Sequence, residues 1–253
     1  MDIRFDGKTV LVTGGTSDLG RVMVRQFAKS GANVAIHYLK NKVMAESLLS
    51  EVQSAGVKGM IVQANITQQA DVLAMRDAVA NGLGMPQIIV NNAVSQYPWK
   101  HILDQPLEDF ADQFRTCTMH NVLMAKAFLP DMIEKKYGRF IGINTECSML
   151  CAAGSGAYAA AKRGMDGIYR TLAKEIGYSG VTVNQVAPGW MISDRDRANG
   201  TEHPPETEAK IPLKRRGEDI EIANAALFLA SDFAGYITGA YIPVCGGNVM
   251  PGI

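Results

Sequence analysis

The sequence predicts an α/β fold of the doubly wound, Rossmann type: a parallel sheet with helices on both faces. Three observations carry that reading. Short β-branched runs alternate with longer amphipathic stretches, no segment repeats another, and the first run ends in a glycine-rich turn that opens a helix. With 253 residues, 47% of them apolar, the chain can fill one core without staples, so a single domain over 1–253 is expected. Lys plus Arg and Asp plus Glu both count 25, and no basic run would track phosphates, so nucleic acid is not an expected partner. The segment from Met1 to Val12 mixes Asp2, Arg4, Asp6 and Lys8 with apolar residues, unlike a signal or transit peptide. No uncharged apolar stretch is long enough for a bilayer, and the chain reads as cytoplasmic with no membrane partner. Cys117, Cys147, Cys151 and Cys245 lack metal-ligand spacing and read as free thiols, with no metal site.

The strands are expected at Thr9–Thr13, Asn33–Tyr38, Gly59–Gln63, Gln87–Asn91, Arg139–Thr145, Val181–Val186 and Ala240–Val244, each a short buried run. Between them, helical periodicity marks Leu19–Ser30, Lys42–Ala55, Ala70–Asn81, Asp109–Lys136, Ala157–Tyr178 and Ile220–Ala230, most closed by a glycine. One stretch breaks the rhythm: 190–217 is charged and proline-bearing. A polar insertion at the carboxyl end of a strand suits a substrate lid, and a solvated excursion is the alternative.

Thr13-Gly14-Gly15-Thr16-Ser17-Asp18-Leu19-Gly20 follows a strand and opens a helix, the context a phosphate-binding turn requires. Further motifs follow in order: Asn91-Asn92-Ala93-Val94, then Tyr158-Ala159-Ala160-Ala161-Lys162, then Asn184 with Pro188-Gly189, then Ile237-Thr238-Gly239 with Gly246-Gly247. Taken together the chain resembles the short-chain dehydrogenase/reductase family over essentially its whole length. That resemblance implies a nicotinamide cofactor, hydride transfer to a carbonyl, Tyr158 as general acid/base, and Lys162 binding the ribose and lowering the tyrosine pKa. An adjacent ammonium favours phenolate, and residues four apart share a helix face. Counting back from Tyr158, Thr145 stands where the family carries its serine, and its hydroxyl has the same donor and acceptor capacity. The resemblance also implies cofactor contacts from Gly14, Thr16, Ser17, Asp18, Leu19 and Gly20, from Asn92, Ala93 and Val94, and from Pro188, Gly189, Met191 and Ser193.

Several positions depart from the family pattern. Asp18 replaces a turn glycine and brings a carboxylate near the pyrophosphate; a helix-capping role with its side chain turned away removes the conflict. Val94 adds bulk in the second motif. Cys117 stands where the family has an active-site asparagine; its main-chain carbonyl is then expected to hold the relay water, giving a slower proton relay. The second strand ends in His37 and Tyr38 with Lys40 and Lys42 close behind and no acid, which favours NADP(H), with NAD(H) the alternative. Asn65-Ile66 stands beside the expected adenine.

Tyr97, Trp99 and Trp190 flank the expected substrate space, and aromatic walls suit sugars, polyols or ring compounds as well as they suit loop anchors. Glu146, next to Thr145, either contacts a hydroxylated or cationic substrate or faces solvent. His120 and His203 read as structural or exposed. A small polar carbonyl or secondary alcohol is the expected substrate; a 3-oxoacyl carrier-protein reductase is the alternative, weakened by Ser179 where that enzyme has a basic docking residue, with Lys135 and Lys136 a partial patch. A nucleotide-free scaffold or sensor is the reading from another class. The resemblance implies a homodimer or homotetramer through the helices 109–136 and 157–178, although the small residues Ala157, Ala159, Ala160, Ala161 and Gly164 would equally suit packing on the sheet.

Overall fold

A computed structural model describes residues 2–95 and 97–250; of the expected 1–253 domain, Met1, Gln96 and 251–253 lie outside it. Seven strands form one parallel sheet: β1 (Thr9–Val12), β2 (Asn33–Tyr38), β3 (Gly59–Gln63), β4 (Ile88–Asn91), β5 (Gly138–Ile143), β6 (Val181–Pro188) and β7 (Tyr241–Val244). Their order is β3-β2-β1-β4-β5-β6-β7, so the winding reverses between β1 and β4. A crevice opens at the carboxyl ends of the strands at such a reversal, and that is where this class of sheet binds ligands.

Alternate residues of each strand feed two cores. Val10, Val12, Ile88, Val90, Ile141 and Ile143 pack under α1 (Asp18–Lys29), α2 (Lys42–Ser54) and α10 (Asp219–Ala230). Leu11, Ile89, Phe140 and Val183 pack under α3 (Gln69–Leu83), α5 (His120–Glu134) and α7 (Gly156–Ile176). Both faces are therefore covered, which is why the strands read as continuous apolar runs rather than alternating ones.

Three boundaries differ from the periodicity reading, each for a local reason. The expected helix 109–136 is built as α4 (Leu107–Gln113), a π-helical turn over Phe114–Met119 and then α5. A π turn widens the helix and places Cys117 at its centre, which apolar spacing does not reveal. β5 stops at Ile143 because the side chain of Asn144 takes the amide of Thr145 at 2.9 Å, ending the ladder and freeing Thr145. The 190–217 excursion is ordered: Met191 and Gly217 pair in parallel, and α8 (Asp194–Asn199) and α9 (Pro205–Glu208) lie between them, after the short α6 (Cys147–Leu150). Arg216, buried, ties the excursion together by donating to Asp196 at 2.8 Å, to the carbonyl of Met191 and to that of Thr201 at 3.2 Å. No helix among the described residues is long and apolar enough to cross a membrane.

Candidate active site

The turn after β1 is held by its glycine backbone and by a few buried side chains around it. Gly14 has φ +62° and lies against Ala93, and a Cβ on Gly20 would run into the carbonyl oxygen of Gly14, so only glycine lets α1 start this close to the strand. The amide side chain of Asn92 donates at 3.1 Å to Thr13 O, Gly14 O and Ser17 Oγ. The Thr13 hydroxyl accepts from the amides of Asn92 and Ala93 at 2.9 and 3.1 Å, so β1 and the β4 loop form one rigid cradle. The first-turn amides of a helix lack carbonyl partners and suit an anion. Glycine cradle, helix start and donor set together fit a dinucleotide pyrophosphate.

At this end the capping residue differs from the expectation, and several of the expected contact residues already have partners within the chain. Ser17, not Asp18, caps α1, its hydroxyl accepting from Gly20 N at 3.2 Å. Asp18 is the first helical residue, and its carboxylate turns to the excursion, accepting from Asp194 N at 3.1 Å and from Arg21 at 3.3 Å. Arg21 pairs with Asp194 as well, so the turned-away carboxylate that the sequence anticipated is held by an arginine. His37 is buried beneath the turn and spends both ring nitrogens there, accepting from Gly14 N at 2.9 Å and meeting Ala64 O at 3.0 Å. Burial pushes its pKa down, so it stays a neutral anchor. Asn65 uses its side-chain oxygen on Thr67 N and Oγ1 at 3.1 and 2.8 Å, leaving no free lone pair for an adenine amine. The Ser193 hydroxyl is likewise engaged, in a capping box with Asp196 at the start of α8, and the Met191 side chain packs on Gly217. Tyr38 and Ile66 are buried, Lys40 is exposed, and Thr16, Leu19 and Val94 are half-buried along the cradle. A depression of about 310 Å³ lined by Leu39, Gln63, Ala64, Asn65, Asp71 and Ala74 lies where β2 and β3 end.

Across the crevice, Tyr158 and Lys162 stand one turn apart on α7, both on its buried side, with Thr145 just past β5. The Lys162 ammonium lies 5.7 Å from the centre of the Tyr158 ring and donates to Ile143 O at 2.6 Å. Burial pushes the Tyr158 hydroxyl well above its ordinary pKa, and the Thr145 side chain opposes that rise. Burial also pulls the Lys162 pKa down.

Tyr97 is a helix anchor in this structure: its hydroxyl accepts from Tyr158 N at 3.0 Å and so fixes the start of α7. Trp99 and Trp190 are half exposed at the rim, and Pro188 and Gly189 close β6 beside them. Cys117 is fully buried, its thiol pushed up by burial and opposed by Lys162. Its carbonyl already accepts from Asn121 Nδ2 at 2.8 Å, so a relay water there would have to share that oxygen. Asn121 in turn accepts from Tyr169 at 2.7 Å, and Asn91 donates to Tyr169 at 2.9 Å. Sequence reasoning missed Asn121 and Tyr169; their only signal was a polar residue in each of two apolar helix faces. His120 is buried with its pKa lowered to about 3, and His203 is exposed beside Glu208, both as expected.

Glu146 does not face solvent: it is 5% exposed. Its Oε2 accepts from Asn248 at 3.1 Å and lies 3.1 Å from where a Cβ on Gly189 would sit. Burial pushes its carboxyl pKa up, and no lysine or arginine among the described residues pairs with it.

A family model described as Enoyl-(Acyl carrier protein) reductase matches residues 14–248. The chain belongs to the short-chain dehydrogenase/reductase family. It is 34% identical over 253 residues to a 3-oxoacyl-[acyl-carrier-protein] reductase of Staphylococcus epidermidis, with 96% of this chain and 99% of the relative covered. It is 34% identical over 248 residues to the Escherichia coli protein of the same name, covering 98% and 100%. Among solved structures it is similar to a 7α-hydroxysteroid dehydrogenase complexed with NADH and 7-oxo glycochenodeoxycholic acid, with TM-score 0.89, 29% identity, and 99% and 97% of the two chains covered. A putative gluconate dehydrogenase from Agrobacterium tumefaciens gives TM-score 0.90 at 26% identity, covering 99% and 100%. The chain is an NAD(P)(H)-dependent oxidoreductase that acts between a carbonyl and an alcohol, which sets aside the scaffold reading.

Proposed function

We propose that the substrate is a small polar carbonyl compound or the matching secondary alcohol, such as a sugar, polyol or hydroxylated ring. One observation carries this reading: the Glu146 carboxyl, buried beside Thr145 with Asn248 as its polar partner. A desolvated carboxyl without a cation is stabilised by hydroxyl donors and destabilised against an alkyl chain. The relatives favour the second reading, a 3-oxoacyl thioester carried by an acidic protein, and by that criterion it is the better supported. Against it, Ser179 is buried and offers no cation, and Lys135 is paired with Asp131 at 3.1 Å, which leaves Lys136 as the free part of a docking patch.

In either case the chain's own groups divide the work. A bound nicotinamide supplies or accepts the hydride. Thr145 hydrogen-bonds the substrate oxygen, and Tyr158 gives that oxygen its proton in reduction and takes it back in oxidation. Lys162 lies close enough to stabilise the phenolate that remains. The 190–217 excursion, tied to the cofactor end through Asp18, Arg21 and Asp194, serves as the lid that excludes water. NADP(H) is the favoured dinucleotide: β2 carries no acid at its end, His37 is spent, and exposed Lys40 is free to meet a 2′-phosphate. Dimer or tetramer formation through α5 and α7 would use their outer faces, since Ala157, Ala159 and Ala161 are already buried within the chain.

The deciding experiment is a panel assay following NADPH consumption with acetoacetyl-CoA, a simple alkyl ketone and several keto-polyols. The polar reading expects the keto-polyols to lead and Glu146→Val to erase that lead. Fastest turnover of acetoacetyl-CoA, unaffected by Glu146→Val, would install the thioester reading in its place.

A further inference from the structure

A run of buried polar side chains behind the site has no part in the chemistry described so far. Asn144 is fully enclosed between β5 and α7. Its Oδ1 accepts from Thr145 N at 2.9 Å, and its Nδ2 donates to Lys162 O at 3.1 Å and to Gln185 Oε1 at 2.6 Å. Gln185, also fully buried on β6, donates from Nε2 to Asp166 Oδ1 at 2.8 Å. Arg170, half exposed one turn further along α7, grips both Asp166 oxygens at 2.9 and 3.0 Å.

The direction of this chain is set at both ends in the same sense. An amide side chain has nearly the same shape either way round, so its partners decide its orientation. An ionised aspartate only accepts. Asp166 therefore draws the Gln185 amide nitrogen to itself and turns Oε1 toward Asn144, whose Nδ2 and Oδ1 the Lys162 carbonyl and the Thr145 amide fix in the matching sense. Reversing any link would bring two acceptors or two donors face to face in a buried site and leave both unmet.

We propose that Asp166, Gln185 and Asn144 are positioning residues that fix the Thr145 segment against the α7 turn bearing Tyr158 and Lys162, with Asp166 holding Gln185 in the one orientation that meets Asn144. None of the three touches the reacting atoms. Their effect reaches chemistry through Thr145, whose side chain opposes the burial-driven rise of the Tyr158 pKa. The inference rests on the family's hydride-transfer chemistry and not on the substrate class, so failure of the polar-carbonyl reading leaves it standing.

The test uses Asp166→Asn, the double variant Asp166→Asn with Gln185→Glu, and both in a Thr145→Ala background. Asp166→Asn frees Gln185 to present a donor to Asn144; the double variant restores an acceptor-only group facing Asn144 and so restores the match. Two readouts are taken: kcat, KM and the alkaline limb of the pH profile on the best ketone of the panel, and, needing no substrate, the Tyr158 phenol titrated by tyrosinate absorbance in the NADP⁺ complex with Tyr158→Phe as blank. Asp166→Asn is expected to lower kcat about tenfold with KM within about twofold, the size expected of a small misplacement remote from the reacting atoms. The limb and the phenol should both move to higher pH, the double variant should return them, and neither change should add to Thr145→Ala. An Asp166→Asn enzyme with an unmoved phenol, or an equal shift in the Thr145→Ala background, would overturn the proposal. If Asp166→Asn does not fold, the double variant alone decides: a parental phenol supports the polarity argument, and a shifted one contradicts it.

Discussion

The two banks of the crevice are built differently. On the cofactor bank, the Gly14–Gly20 turn is fixed by main-chain groups and by Thr13, His37 and Asn92, at the ends of three neighbouring strands. On the substrate bank, Glu146 meets Asn248 from more than a hundred residues away, and the excursion is held by side-chain ion pairs such as Arg197 with Glu218 at 2.8 Å. Backbone geometry leaves one solution for binding an anion, whereas side-chain contacts can be re-chosen one at a time. The first bank thus rests on neighbouring strand ends, and the second depends on side-chain contacts between distant segments.

The largest effect expected is at the residue that joins the banks. Tyr158→Phe keeps the ring and removes the proton carrier, so turnover should fall by about 10²–10⁴-fold with cofactor affinity nearly unchanged, read by NADPH consumption and by a binding titration. On the cofactor bank, Gly20→Ala drives a methyl into the Gly14 carbonyl and should weaken NADPH binding by about 10- to 100-fold in calorimetry, the equivalent of an overpacked site. On the substrate bank the same size of side-chain change should leave NADPH binding alone. Glu146→Gln removes a charge whose pKa burial has raised, so the folded state is best off with that group protonated. Its contribution is most favourable below the unfolded carboxylate value of about 4.3 and declines as pH rises through the folded value. Melting curves should therefore show Glu146→Gln gaining stability over the parent at pH 8 and little at pH 4. A gain that is equal at both pH values would place the carboxyl in water. The smallest effect belongs to His203→Ala: its pair with Glu208 is at the surface, and the stability change should stay within about 0.5 kcal/mol by denaturant titration.

The same contrast explains what could be read from the chain. β2 and β3 fall where apolar runs place them, and Thr145, Tyr158 and Lys162 come to one side of the crevice because helix spacing and strand ends are local properties. The fate of Asp18 was half legible: a favoured capping residue was expected to turn away, but the cap passes to Ser17, and the partner that turns it, Arg21 with Asp194, depends on how the excursion folds back. His37 sat at a strand end that resemblance assigns to the ribose, yet the alternation of β2 sends its ring under Gly14. The polar run through Asn144, Gln185 and Asp166 left no trace, because each member lies on a different element and nothing in spacing says that they meet.

Titration of the protein with NADPH and, separately, NADH, by calorimetry and cofactor fluorescence, tests most directly that the glycine cradle is a working dinucleotide site with Asp18 held out of it. Micromolar binding, tighter for NADPH, is the predicted result. No binding of either at millimolar concentration would contradict it, for the Asp18 carboxylate would then lie in the path of the pyrophosphate.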